Sequence, residues 1–229
     1  KVSTPLEAHF YSVTDQDNVL LPHSKVCYLN FVIRACIFSL LLILIFGLFI
    51  FGIGDSLLII TGLGNAPWSV LAQGISLNSP LSIGEATFFI SLTVLALWIP
   101  LKQMPGLGTL ANILVIAVAI EIGLAFIPEV DNLALKYFYI FSGIALVGIG
   151  SALYITCGLG TGPRDGLMTG LHYKTGIRVG RVRLGIELTA LIIGALLGGT
   201  VGIGTALFAL LIGQSVAISL GVVDRLTAK

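Results

Sequence analysis

Long stretches of this chain contain almost nothing that favours water. Ile37–Ile53, Ala86–Ile99, Leu110–Ile120 and Phe138–Ile149 are nearly unbroken apolar runs. Their flanks extend them to the roughly 20 residues that cross a hydrocarbon core as a helix. The pattern predicts an all-α membrane protein with six transmembrane helices at approximately 37–61, 83–101, 108–127, 134–157, 180–197 and 203–222. Gly- and Pro-rich connections separate them.

Composition agrees. Of 229 residues, 56% are hydrophobic and 10% charged, with a mean hydropathy of +1.05, whereas a soluble domain carries about a quarter charged residues. Residues 1–30 differ: Glu7, Asp15, Asp17, two prolines and two histidines read as a soluble N-terminal tail rather than a secretory signal. The formal net charge of +1 gives no case for nucleic acid as a partner. Cys27, Cys36 and Cys157 have no CxxC spacing, so neither a disulfide nor a metal site is expected.

The chain matches itself at an offset of 96 residues. Gly52-Ile53-Gly54 falls on Gly148-Ile149-Gly150 and Gly62-Leu63-Gly64 on Gly158-Leu159-Gly160. The register continues without a gap through Pro67 and Pro163, Leu71 and Leu167, Gly74 and Gly170, Gly84 and Gly180, and Gly106, Gly108 and Thr109 with Gly202, Gly204 and Thr205. About 25 of roughly 80 aligned positions are identical. Residues 31–128 are therefore expected to form one three-helix repeat and 129–229 a second with a short C-terminal tail. Three crossings per copy reverse the second copy in the membrane, which makes the repeats inverted.

Charge points to the same arrangement. With the N-terminus cytoplasmic, the inner segments collect Lys1, Lys25, Arg34, Lys102, Arg164, Lys174, Arg178, Arg181, Arg183, Arg225 and Lys229, and the outer segments only Lys136. This is a strong positive-inside bias, placing both termini in the cytoplasm of a multi-pass inner-membrane protein. Arg178, Arg181 and Arg183 read as topology and headgroup anchors, with a cytoplasmic anion site as the alternative. Trp98, near the inner end of the second span, reads as an interfacial anchor.

In both copies a span ends at GLG, two residues follow, and a proline opens a short segment, Pro67–Gly74 and Pro163–Gly170. Proline suits the first position of a helix, where its missing N–H would be unpaired anyway. About ten helical residues rise only ~15 Å, half a bilayer. One reading is a pair of re-entrant half-helices whose N-termini bind an anion or polar substrate; the other is a pair of interfacial turns. On the first reading Gly64, Asn65, Pro67, Gly160, Pro163, Arg164 and Asp165 are substrate-site candidates. Asp165, third in its segment, is also placed to cap its own helix.

Ionisable groups at depth mark function by default. Glu187 lies about seven residues into the fifth span, ~10 Å from the inner face, and one turn after Arg183, with which it can pair. Asp55 and Glu121 sit at similar depth from the outer ends. Asp55, Glu121 and Glu187 are the ion-coupling candidates; Glu187 and the neutral Gln214 join the substrate-site candidates, and Asn112 and Ser91 add polar groups. His9, His23 and His172 are scattered on loops, and no hydrolytic, metal or phosphate-loop motif is present, so neither an enzyme nor a cofactor is expected.

The blocks GLGNAPWSVLAQGI, SIGEATFF, LWIPLKQMPGLGTLAN, CGLGTGPRDGLMTGLHYKTG, VRLGIE and LLGGTVGIGT resemble the bacterial YczE-like membrane proteins of the wider YczE/YyaS/YitT group, over roughly 37–222. The resemblance implies a bacterial cytoplasmic-membrane protein, some of whose relatives are associated with regulating antibiotic production, and carries over no catalytic residue. Two functional classes follow. The first is a small secondary transporter or channel-like permeation protein for an ion or small molecule. The second is a non-transporting membrane scaffold or regulator that uses the basic 164–183 segment to contact a cytoplasmic partner or anionic lipid.

Overall fold

The computed structural model describes residues 23–227, with side chains over 37–226. Most of the expected tail, and the side chains of Lys1, Lys25, Cys27, Arg34, Cys36 and Lys229, lie outside the described residues. The chain divides into two units, Lys1–Ser39 and Leu40–Lys229, and the packing described here belongs to the second.

Among the described residues there are eight α-helices and no strand. They are α1 (His23–Thr61), α2 (Pro67–Leu77), α3 (Ile83–Ala96), α4 (Leu107–Phe126), α5 (Leu133–Thr156), α6 (Pro163–Thr175), α7 (Val179–Leu196) and α8 (Ile203–Thr227), with a 3-10 turn at Ile99–Leu101. Five stretches are long and apolar enough to cross a membrane: Ile37–Thr61, Ile83–Leu101, Leu107–Phe126, Leu133–Thr156 and Ile203–Leu226. The sixth expected span, α7, carries Arg181, Arg183 and Glu187 within 18 residues and does not qualify by composition. Large apolar side chains such as Phe38, Phe126, Leu196 and Leu210 stand exposed, a surface suited to lipid rather than water.

Local chemistry sets the helix ends. Pro67 and Pro163 open α2 and α6 at their first positions. Ser82 and Glu85 form a reciprocal capping box at the start of α3. Helices α1 and α5 both stop at a GLG turn, where Gly62 and Gly158 have φ of 63° and 64° and Gly64 and Gly160 φ of 115° and 127°, conformations that side chains resist. Helices α2 and α6, of 11 and 13 residues, rise only ~16 and ~20 Å, too short to span a bilayer.

The contacts come in reciprocal sets. Where α1 and α5 cross, a Cβ on Gly54 would meet the Gly143 carbonyl, and one on Gly143 would meet that of Gly54; Gly47 and Gly150 repeat the exchange. Such small-residue faces let helix backbones approach closely. The GLG turns are held in the same manner. Gly108 N–H donates to the Leu159 carbonyl at 2.8 Å and Gly204 N–H to that of Leu63 at 2.9 Å, so the first turn of α4 grips the turn after α5, and the first turn of α8 grips the turn after α1. Helices α2, α3 and α4 begin at Pro67, Ile83 and Leu107, and α6, α7 and α8 at Pro163, Val179 and Ile203, each 96 residues later.

One cross-link has no counterpart. Gln73 Oε1 accepts from Asn65 Nδ2 and from Thr200 N–H, both at 2.8 Å, joining α2, its preceding loop and the loop before α8. Gln73→Leu should therefore leave two donors unpaired and cost about 2–3 kcal/mol. Thermal unfolding in detergent checks this; an unchanged midpoint would mean that water replaces the amide.

Trp98 corrects an expectation. It is 3% exposed and its Nε1–H donates to the Pro163 carbonyl at 2.9 Å. Its indole fills the space left by Gly166, so it is part of the core between the turn after α3 and α6. Buried indoles need a partner for the N–H, and the first carbonyl of a proline-led helix supplies one.

Candidate functional site

The first turns of α2 and α6 face a cavity of about 150 Å³. Ala66, Pro67 and Trp68 line it from one side, and Gly162, Pro163, Arg164 and Asp165 from the other. The remaining walls come from α1 (Phe51, Asp55), α4 (Asn112, Ile116), α5 (Val147, Ser151, Tyr154), α7 (Arg183, Glu187) and α8 (Phe208, Ile212). The residues preceding the prolines, Ala66 and Gly162, offer no side chain to cap the first-turn N–H groups. Two helix N-termini thus bring their partial positive charges to one space.

The polar groups fall into engaged and unengaged sets. Ser69 Oγ donates to Asp55 Oδ2 at 2.7 Å, Tyr154 OH donates to Asp165 Oδ2 at 2.7 Å, and Arg183 Nε donates to Glu187 Oε1 at 2.9 Å. The last is the only ion pair among the described residues. Arg164 has neither hydrogen bond nor ion pair there; its guanidinium lies 4.9 Å from the centroid of the Trp68 ring. That cation–π contact is worth about 0.5–2 kcal/mol and leaves every N–H free. Asp55, Asp165, Tyr154 and Glu187 interact with this guanidinium electrostatically without touching it. Asp55 is 2% exposed, and its Oδ1 has no partner. Asn112 and Ser151 add an amide and a hydroxyl to the lining.

The structure brings together Asp55, Pro67, Pro163, Arg164, Asp165 and Glu187 from the sequence candidates. It places the others elsewhere. Gly64 and Gly160 form the turns: Gly64 packs on Gly202 and Thr205, Gly160 on Gly106 and Thr109. Asn65 is fully buried, bonded to Gln73 and Thr200 away from the cavity. Glu121 Oε1 accepts from Gly84 N–H at 2.6 Å and so closes the N-terminus of α3. Gln214 is an exposed residue of α8. Glu121 therefore does not join Asp55 and Glu187. Asp165 makes no cap bond to its own helix, its Oδ2 instead accepting from Tyr154, and Asp55 is buried.

Residue types alone did not single out Trp68, Ser69, Ser151, Tyr154 and Arg183 as members of the site. The 96-residue register held a signal for three of them. Asp55 and Ser69 in the first copy correspond to Ser151 and Asp165 in the second, an acid and a hydroxyl exchanged, and Trp68 corresponds to Arg164. All six lie at or beside the cavity.

Helices with lipid-suited surfaces enclosing a small polar cavity define the class: a polytopic α-helical membrane protein. The chain belongs to the family of unknown function DUF6198, whose model matches residues 38–220, and it is YczE-like. It is 45% identical over 184 residues to an uncharacterized protein of Haemophilus influenzae, covering 80% of this chain and 84% of that one. The uncharacterized membrane protein YczE of Bacillus subtilis is 33% identical, covering 76% of this chain and 82% of its own. The uncharacterized protein YyaS of the same organism is 26% identical, covering 78% and 91%. No solved structure matches the chain.

Proposed function

We propose that this protein is a small secondary transporter of the cytoplasmic membrane, built as two inverted three-helix repeats with α7 as the sixth span and both termini in the cytoplasm. The carrying observation is the polar cavity between the N-termini of α2 and α6, with the unpaired Arg164 guanidinium at its wall. Half-helices that meet at a shared site, each from one repeat, are the geometry that lets one repeat rock against the other and expose the site alternately.

The reciprocal contacts support the inverted repeat. Gly54 with Gly143 and Gly150 with Gly47, or Gly108 with Leu159 and Gly204 with Leu63, exchange partners under the same offset. A two-fold axis produces this pattern, because residue i of one copy meets residue j of the other and j meets i. Charge on α7 is compatible with a span: Arg183 pairs with Glu187 and both face the cavity.

Reconstitution into liposomes tests the reading. Uptake or counterflow should appear for at least one solute in a panel of amino acids, small carboxylates, amines and inorganic ions. Arg164→Ala should reduce that flux at least tenfold, because it removes the one uncommitted cation of the site. Flux no greater than in protein-free liposomes across the panel overturns the proposal.

A second reading draws on the exposed Lys174, Arg178 and Arg181 around the α6–α7 connection. It is a scaffold or regulator whose basic face contacts anionic lipid or a cytoplasmic partner. That reading expects Lys174→Ala, Arg178→Ala and Arg181→Ala together to change cellular phenotype while Arg164→Ala does not.

A further inference from the structure

The cavity holds two groups of opposite sign that attract each other without forming an ion pair. At one end stand the Arg164 guanidinium, free of any hydrogen bond or ion pair among the described residues, and the first turn of α6, which no side chain caps. At the other stands Asp55, held on Oδ2 by Ser69 and without a partner on Oδ1. The two side chains come from α6 and α1 and lie beyond ion-pair distance. The other charged groups of the lining are already committed, Asp165 to Tyr154 and Arg183 to Glu187.

Burial of Asp55 is costly unless something answers its free oxygen. A buried carboxylate oxygen without a partner loses hydration without compensation. A guanidinium stacked on Trp68 has five N–H donors to place. A simple anion would satisfy Arg164 and the N-terminus of α6 but leave Asp55 repelling it. A simple cation would satisfy Asp55 but face Arg164 and the positive end of α6.

We infer that the cavity binds a small zwitterion, an α-amino acid of about glycine to serine size, with its carboxylate on Arg164 and the first turn of α6 and its ammonium on Asp55. The inference rests on the transport reading and assigns its substrate class. A volume of about 150 Å³ admits such a molecule. Phe51, Ile116, Val147 and Ile212 wall the remaining space and suit a methyl or hydroxymethyl group rather than a second charge. Asn112 and Ser151 are neutral groups able to bond either end.

The test uses the full chain in nanodiscs, with binding read by calorimetry and thermal stabilisation. The probes are alanine, glycine, acetate, methylammonium and inorganic phosphate. Alanine or glycine should bind saturably and at least tenfold more tightly than acetate, methylammonium or phosphate. Arg164→Ala should lose that binding at least tenfold. Arg164→Met, which keeps a side chain against Trp68, is the second variant if Arg164→Ala does not give monodisperse protein. Asp55→Asn should level alanine with acetate, since the group that reads the ammonium is gone. Acetate or phosphate bound as well as alanine would make this a plain anion site and overturn the inference, and methylammonium preferred over alanine would overturn it in the other direction. No binding of any probe overturns it as well. The liposome assay separates this from the broader reading: flux of an inorganic ion without amino-acid binding removes the substrate class and leaves transport standing, whereas amino-acid binding without any flux does the opposite.

Discussion

Gly204→Ala is expected to destabilise the folded protein by about 3 kcal/mol or more, with a fall in melting temperature of roughly 6–12 °C. Gly204 N–H donates to the Leu63 carbonyl at 2.9 Å, and a Cβ built on it would run into the Gly64 carbonyl. The obstacle is backbone in a turn that itself needs positive φ at Gly62 and Gly64, so it cannot move aside as a flexible side chain would. Loss of the Gly204–Leu63 bond would release the turn from which α2 departs, and with it the wall that carries Trp68. The related Gly108 has more room: a Cβ there would lie 3.1 Å from the Gly160 carbonyl, so Gly108→Ala should cost less, about 1 kcal/mol. Gly180, on α7 with nothing within 4 Å, is the control, and Gly180→Ala should be neutral or stabilising by up to about 1 kcal/mol. Melting of the three variants in one detergent checks the order. Equal midpoints would mean that the turns do not grip the helices as described.

Trp98→Ala is the second large expected effect, about 3–5 kcal/mol. The indole is 3% exposed, occupies the space beside Gly166 where a Cβ could not fit, and donates to the Pro163 carbonyl. Removing it opens a void under the first turn of α6 and frees the carbonyl that fixes Pro163. Arg164, the next residue, would lose its defined approach to Trp68. Trp98→Phe separates packing from positioning: most of the volume stays and the hydrogen bond goes, so stability should fall by only about 1–2 kcal/mol. Solute flux or binding should nevertheless weaken by a larger factor than stability alone explains. If Trp98→Phe leaves binding unchanged, the indole is core filler and Pro163 is set by its own helix.

How much was legible in the sequence follows from which interactions are local. The helix ends were legible because proline and GLG act within a few residues. The 96-residue register was legible because backbone constraint at Gly and Pro survives in a chain whose other residues interchange freely. From the site, Pro67, Pro163, Arg164, Asp165, Asp55 and Glu187 were readable as charges or helix breakers out of place in an apolar chain. Glu121 looked the same by type and depth, yet it ends on Gly84 N–H. Nothing along the chain separates it from Asp55, since the difference is which neighbouring helix each carboxylate meets. Trp98 failed for the same reason: a tryptophan at the end of an apolar run reads as an anchor, and only the contact with Pro163 and Gly166 makes it core.

The sequence by itself determined an apolar chain that must hold its backbone bonds within helices, where those helices stop, and that its two parts share one pattern of glycine and proline. These follow from hydration and backbone sterics, which act residue by residue. Tertiary structure alone decided that the N-termini of α2 and α6 face one cavity, that Trp68 carries the Arg164 guanidinium, and that Ser69, Tyr154 and Arg183 occupy three acids while one oxygen of Asp55 stays unpaired. Those outcomes depend on distances between residues far apart in the chain, and hydrogen bonds and charge pairs change sharply over an ångström or two where hydropathy does not.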